Sequence, residues 1–199
     1  MMNPKRALLP VLAATALLAA CAGGGGEPAP ASGTLAVPGL AGQKVLVFPV
    51  QEASSPDDAT RELVFALENR RGTGSWIFPE ALRSTLARSP QLDVPLDDLP
   101  VGVFLRAEVR RIGDPLYGMI RRAASLNDAT TALLPVGVAF RPATPDAPAV
   151  MEVLAAVVDV TTGRVVWLGR ESAPASSSDD PGGVARAMDM LAGRLLPAG

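Results

Sequence analysis

The chain has 199 residues, 48% of them hydrophobic, with a formal net charge of −2, one cysteine and no histidine. That charge offers nucleic acid no basic footprint, a lone cysteine excludes an intrachain disulfide, and the missing histidine removes the commonest general base and metal ligand. The fold must therefore stand on its own apolar core.

Lys5 and Arg6 open the chain, and no charge occurs from Ala7 to Leu18. This run is shorter than the roughly 20 apolar residues of a spanning helix. A basic start, a short apolar stretch and small residues at the cut fit a secretion signal. The run closes on Leu18-Ala19-Ala20-Cys21, which resembles the bacterial lipobox. The resemblance implies diacylglycerol on the Cys21 sulfur, cleavage between Ala20 and Cys21, and acylation of the new amino end. Residues 1–20 are then a lipoprotein signal peptide. The alternative is an ordinary cleaved signal with a chance cysteine, but Cys21 is the chain's single cysteine and stands where the pattern requires it.

Two or three acyl chains hold a protein on a bilayer where one does so only marginally, at about 0.8 kcal/mol per buried methylene. Ala22, not aspartate, follows the cysteine. Under lipoprotein sorting rules this favours the periplasmic face of the outer membrane in a two-membrane bacterium. Residues 21–42 read as a tether, because Ala22 to Gly33 is rich in Gly and Pro and too poor in apolar side chains to form a core. About 20 such residues span roughly 25 Å. Gly23 to Gly26 resembles a phosphate loop in composition only, lacking the following Lys and Ser/Thr and any preceding strand.

The remaining residues, 43–197, are expected to form one globular domain. Gln43 to Val50 is a short, β-branched apolar run and predicts a buried first strand. Ser54 to Asp58 is a loop whose aspartates are placed to cap a helix over Thr60 to Arg70, with Leu63, Val64 and Leu67 on one face and Gly72 as its stop. Ser75 to Phe78 reads as a brief strand. Pro79 then opens a helix carrying Leu82 and Leu86, which Ser89-Pro90 ends. Over residues 91–113 two readings stay open: a short helix through Phe104 and Leu105 capped by Asp97-Asp98, or a strand from Val101 to Val109.

Asp114-Pro115 starts a clearer helix, with Leu116, Ile120 and Ala123 on one face. Thr131 to Phe140 is strand-like despite Pro135, and Pro142 to Pro148 is a loop. Val150 to Val160 and Arg164 to Arg170 form the strongest strand pair, joined by Thr161-Thr162-Gly163, where Gly163 supplies the positive φ of a tight hairpin. Ser176 to Pro181 opens a last helix, with Val184, Met188, Leu191 and Leu195 as its buried stripe. Together these elements predict a single domain of α/β (α+β) class. Its mixed β-sheet of about five strands packs with helices and ends in a C-terminal β-hairpin followed by a helix.

Several segments resemble a group of bacterial envelope domains: Lys44 to Val50, the helix with Leu82 and Leu86 ahead of Ser89-Pro90, the strand preceded by Asp128-Ala129, and Asp159-Val160-Thr161-Thr162-Gly163-Arg164-Val165-Val166-Trp167. The last segment is the most specific and is similar to the hairpin of TolB amino-terminal-type domains. The curli-secretion lipoprotein CsgG and the penicillin-binding-protein activator LpoB carry related domains. The resemblance spans about residues 43–196 and implies a non-catalytic α/β domain that docks onto envelope machinery. It places no functional residue beyond the lipobox cysteine.

Chemistry must be sought without histidine. Asp57-Asp58, Asp97-Asp98 and Asp179-Asp180 are carboxylate pairs suited to acid–base work or cation binding. Each also precedes a predicted helix, where acids bind free backbone N–H groups, and capping is the reading taken. A Ser–Lys dyad would have to use Lys44, the sole lysine beyond the signal. Arg110-Arg111 and Arg121-Arg122 offer a basic patch for an acidic partner or lipid headgroups, or simply solvated charge. Trp76 and Trp167 sit among apolar residues, which favours core packing over sugar stacking.

The expectation is a lipid-anchored accessory module with an unknown envelope protein partner, no enzymatic activity, no cofactor, no metal and no nucleic acid. The alternative is an envelope enzyme or ligand-binding lipoprotein with an unrecognised pocket. A pore subunit fits less well, because pore hairpins alternate apolar and polar faces, whereas Val150 to Arg170 is apolar on both.

Overall fold

The computed structural model describes residues 39–40, 42–70, 74–106 and 109–197. Its strands are β1 (Lys44–Val47), β2 (Ser75–Ile77), β3 (Thr131–Arg141), β4 (Val150–Asp159) and β5 (Arg164–Pro174). Its helices are α1 (Pro56–Glu68), α2 (Pro79–Ala87), α3 (Gly102–Arg106), α4 (Leu116–Ser125) and α5 (Pro181–Leu195). The strands form one sheet in the order β2-β1-β3-β4-β5. Its first three strands are parallel, and β4 and β5 continue it antiparallel. The mixed five-stranded sheet, the hairpin and the closing helix agree with the fold class read from the sequence.

The sheet is apolar on both faces because helices cover both. Val45, Val47, Leu133, Val153 and Val157 pack with Leu63 and Leu67 of α1 and with Met188, Leu191 and Leu195 of α5. On the opposite face Leu46, Phe48, Leu134, Ala156 and Val158 pack with Leu82 of α2, Phe104 of α3 and Leu116 and Ile120 of α4. Each fully buried leucine or valine contributes about 1.5–3 kcal/mol relative to exposure. The two cores together take the place of the disulfides that this chain cannot form. No described helix is long and apolar enough to cross a membrane.

Proline at 135 is tolerated in a central strand because the ladder breaks there. The register between β3 and β4 shifts between Pro135 and Gly137, so the alternation of faces reverses. Leu134 and Val136 lie in the α2/α3/α4 core, whereas Val138 and Phe140 lean on the α1/α5 core. The backbone of Gln51 and Glu52 fills the gap, with Glu52 N–H donating to Val136 O at 3.2 Å and Val138 N–H to Glu52 O at 2.6 Å. A Cβ on residue 137 would fall 2.8 Å from the Glu52 carbonyl oxygen, so only glycine allows this approach.

Some boundaries differ from expectation. Helix α1 begins at Pro56 rather than Thr60, with Pro56 in its first turn. Of the two readings for residues 91–113, the short helix is the one formed, over Gly102–Arg106. Asp97-Asp98 does not cap it, because the chain turns between them and Gly102, and Asp97 is taken by Arg83 of α2.

Candidate functional site

Ala20 and Cys21, the predicted cleavage and lipidation residues, lie outside the described residues. The acid pairs go to local structure. Asp58 accepts from the Ser55 hydroxyl and pairs with Arg61. Asp180 caps α5 as expected, accepting from Gly183 N–H and Ser176 N–H, both at 2.9 Å. The Ser176 and Gly183 amides lower its carboxyl to about 2. A depressed carboxyl stabilises the fold above the ordinary carboxylate range and ceases to do so as the pH falls through about 2. Asp179 is lowered as well, chiefly by the Ser177 hydroxyl. Among the described residues no group of three His, Cys, Asp or Glu side chains is placed to hold a metal ion. None of their buried side-chain polar atoms lacks a hydrogen-bond partner.

Trp167 is 2% exposed, within the core beneath α5, and Trp76 is half-buried against the same core, so both serve packing. Strands β1 and β2 set Lys44 opposite Ser75, a juxtaposition that 30 intervening positions hide in the sequence. No hydrogen bond joins the two side chains, so the elements of a Ser–Lys dyad are neighbours without its geometry.

The motif that carried the family resemblance proves to be a turn lock. Asp159 Oδ1 accepts from the Thr161 and Thr162 amides at 2.8 and 3.1 Å, and Gly163 N–H donates to Asp159 O at 2.8 Å. Gly163 has φ +70°, a left-handed backbone conformation that favours glycine. Helix α4 closes on this turn: the Tyr117 hydroxyl donates to Thr161 O at 2.9 Å, and a Cβ on residue 163 would meet the Tyr117 ring at 3.1 Å. Ile112 N–H donates to Gly163 O at 2.9 Å, which ties residues 110–112 to the start of β5.

Beside this turn lies an open depression of about 230 Å³ lined by Gln43, Thr130, Thr131, Asp159, Thr161 and Val166. Its lining is mostly hydroxyl and amide, and Thr131 Oγ1 already donates to Gln43 Oε1. Such a surface can hydrogen-bond a polar ligand, but it holds no nucleophile paired with a base.

The same end of the sheet carries the basic residues. Asp159 pairs in register with both Thr131 and Arg164, and Val45 pairs with Thr131, so the starts of β1, β3 and β5 lie at one edge. Arg164 bridges to Arg111 across an isolated antiparallel contact. Helix α4, packed on the turn through Tyr117, adds Arg121 and Arg122, and all four side chains are exposed, as is Arg110. None of the five guanidinium groups pairs with a carboxylate among the described residues. Among the arginines described elsewhere most are matched, Arg61 with Asp58, Arg70 with Asp189, Arg83 with Asp97, and Arg141 and Arg170 with Glu152, whereas Arg88 bonds only the Ser84 and Thr85 hydroxyls. The two arginine doublets were visible in the sequence; that Arg164 joins them was not.

No family model and no curated protein matches the chain. Among solved structures it is similar to the PelC dodecamer from Paraburkholderia phytofirmans, at 19% identity and TM-score 0.45, over 82% of this chain and 95% of that one. It is similar to the LpoB C-terminal domain from Salmonella enterica, at 17% identity and TM-score 0.48, over 71% of this chain and 90% of that one. A lipoprotein from Neisseria meningitidis is similar at 16% identity and TM-score 0.40, over 69% of this chain and 84% of that one. At these scores the likenesses carry no argument about function, which must rest on this chain's own residues.

Proposed function

We propose that this chain is a lipid-anchored lipoprotein of the bacterial cell envelope whose domain is a non-catalytic accessory module, binding a protein of an envelope assembly. The observation that carries the reading is Cys21, the single cysteine, directly after Leu18-Ala19-Ala20 and ahead of a Gly/Pro-rich stretch. Lipid on the Cys21 sulfur and loss of residues 1–20 leave a protein of net charge −4, since the removed segment holds two basic and no acidic side chains. Ala22 favours the outer membrane, periplasmic face, where the source has two membranes. The uses found for the acids support a binding role: Asp58, Asp97 and Asp180 serve an ion pair or a cap, and Asp159 serves a turn.

The test compares the native chain with Cys21→Ser in a two-membrane bacterium supplied with labelled palmitate. The native chain is expected in the membrane fraction, labelled and shortened by its first 20 residues. The serine variant, with no cysteine to take lipid and direct the cut, is expected unlabelled and unshortened. Equal labelling and equal membrane retention of both would overturn the lipid anchor. Crosslinking in the native envelope then reads the partner: a reproducible protein adduct, weakened in Cys21→Ser, supports the accessory role. With no adduct, the second reading gains, a ligand-binding lipoprotein using the depression between Gln43 and Thr161.

A further inference from the structure

We propose that the end of the domain bearing Arg110, Arg111, Arg121, Arg122 and Arg164 docks against anionic phospholipid headgroups, fixing how the domain stands on its bilayer. The inference rests on the lipid-anchor reading for the nearness of that bilayer. Two observations carry it. The five arginines are exposed and unmatched by described carboxylates in a chain of net charge −2, whereas of the arginine side chains described elsewhere all but Arg88, which bonds the Ser84 and Thr85 hydroxyls, are ion-paired. They also crowd the edge of the sheet at which the chain enters the fold: Leu40 is buried there, Lys44 begins β1, and the register runs from Val45 through Thr131 and Asp159 to Arg164.

A chain anchored ahead of residue 40 enters the fold at this end, so the tether joins the domain beside the arginines, and their charge, not the tether, sets which end faces the bilayer. The acids at this end, Asp114, Asp128 and Asp159, are three against five arginines, so the end keeps a net positive charge. Asp159 Oδ1 is engaged by two turn amides and Asp114 Oδ1 by Gly118 N–H at 3.0 Å, and Asp128 stands exposed beyond α4. Arg122 folds back along its helix towards Gly118, where its guanidinium and the Asp114 carboxylate border the same spot without forming an ion pair. An array of separate guanidinium groups with no enclosing pocket suits a surface of many phosphates better than one bound anion. An acidic protein partner would call for a complementary apolar centre among the charges. The large exposed apolar side chains, Phe65, Val103, Leu105 and Met190, belong to α1, α3 and α5 and not to α4 or the hairpin.

The experiment uses the Cys21→Ser chain without residues 1–20, so that neither lipid nor the basic, apolar start contributes, and vesicles of phosphatidylcholine alone or with roughly a third phosphatidylglycerol. Binding to neutral vesicles sets the baseline, and the increment on anionic vesicles is the readout. The increment is expected to fall about tenfold or more in R110Q/R111Q/R164Q, to fall separately in R121Q/R122Q, and to vanish in about 1 M salt. R61Q/R83Q/R141Q, which removes as much charge elsewhere, is expected to keep it, with thermal unfolding confirming that every variant is folded. Equal binding to neutral and anionic vesicles, or equal losses in the cluster and control variants, would overturn the proposal. So would a cluster variant that keeps its vesicle binding but loses crosslinks to an acidic envelope protein. Failure here is separable from failure of the anchor, since vesicle binding is read without lipid on the chain and Cys21 labelling without vesicles.

Discussion

The two ends of the β4–β5 ribbon both carry arginines next to an acid, yet only one end neutralises them. At the far end Glu152, its side chain 15% exposed, receives Arg141 Nε at 3.1 Å and also pairs with Arg170. At the near end Asp159 stands opposite Arg164 in the ladder, but its Oδ1 is committed to the Thr161 and Thr162 amides. No ion pair joins Asp159 to Arg164, and Arg111 lies on the other side of Arg164. A carboxylate that holds a turn keeps its charge but does not close on the arginine beside it, and the Arg164 side chain stays exposed.

The comparison breaks most severely at Gly163, on which the whole near end is built. Gly163→Val places a β-branched residue at φ +70° and drives its Cβ towards the Tyr117 ring and the Ile112 carbonyl at 3.1 to 3.3 Å. Left-handed backbone costs an L-residue roughly 1–2 kcal/mol, and overpacking adds about 1–3 kcal/mol. A loss of about 3 kcal/mol in urea unfolding is expected. An unchanged midpoint would mean that the turn does not hold α4 and residues 110–112 in place.

At the far end the expected effect is smaller and different in kind. Glu152→Gln leaves Arg170, whose side chain is 29% exposed, facing a neutral amide, and should cost about 1–2 kcal/mol. Arg164→Gln at the near end should lie within about 0.5 kcal/mol of the native chain, because no ion pair is lost. If Arg164→Gln proves as destabilising as Glu152→Gln, the near-end arginine has an intramolecular role and the contrast between the ends dissolves.

The sequence made the long elements legible because they repeat a pattern over enough residues. Strands β4 and β5 follow from their long apolar, β-branched runs, the stripe of Met188, Leu191 and Leu195 in α5 from its helical spacing, and the turn between the strands from its chemistry. Helix α3, at five residues, completes too few turns to show a period, which is why a strand read equally well there. Asp97 illustrates a second limit. Its position before a short helix suggested a cap, but Arg83 on α2 claims it, and such competition is decided by tertiary neighbours. The basic end was half legible for the same reason. Two arginine doublets can be read from the sequence, but the approach of Arg111 to Arg164 depends on residues 110–112 closing over the edge of β5.

A variant with a small expected change in stability is also the sharpest probe of the contrast. In Asp159→Asn the side-chain oxygen still accepts from the Thr161 and Thr162 amides, so the turn keeps its hydrogen bonds and loses only their charge assistance. Stability should fall by less than about 1 kcal/mol. The charge opposite Arg164 disappears, and the increment of binding to anionic vesicles should rise about threefold to fivefold, at roughly 1 kcal/mol per unit of charge near a membrane. Asp159→Ala removes the same charge but also the turn's acceptor, so it should lose stability while gaining no more affinity than asparagine does. A rise in affinity shared by both variants, with stability lost only in alanine, would separate the two tasks of this carboxylate. An unchanged affinity in both would mean that the near-end charge is not what meets the membrane.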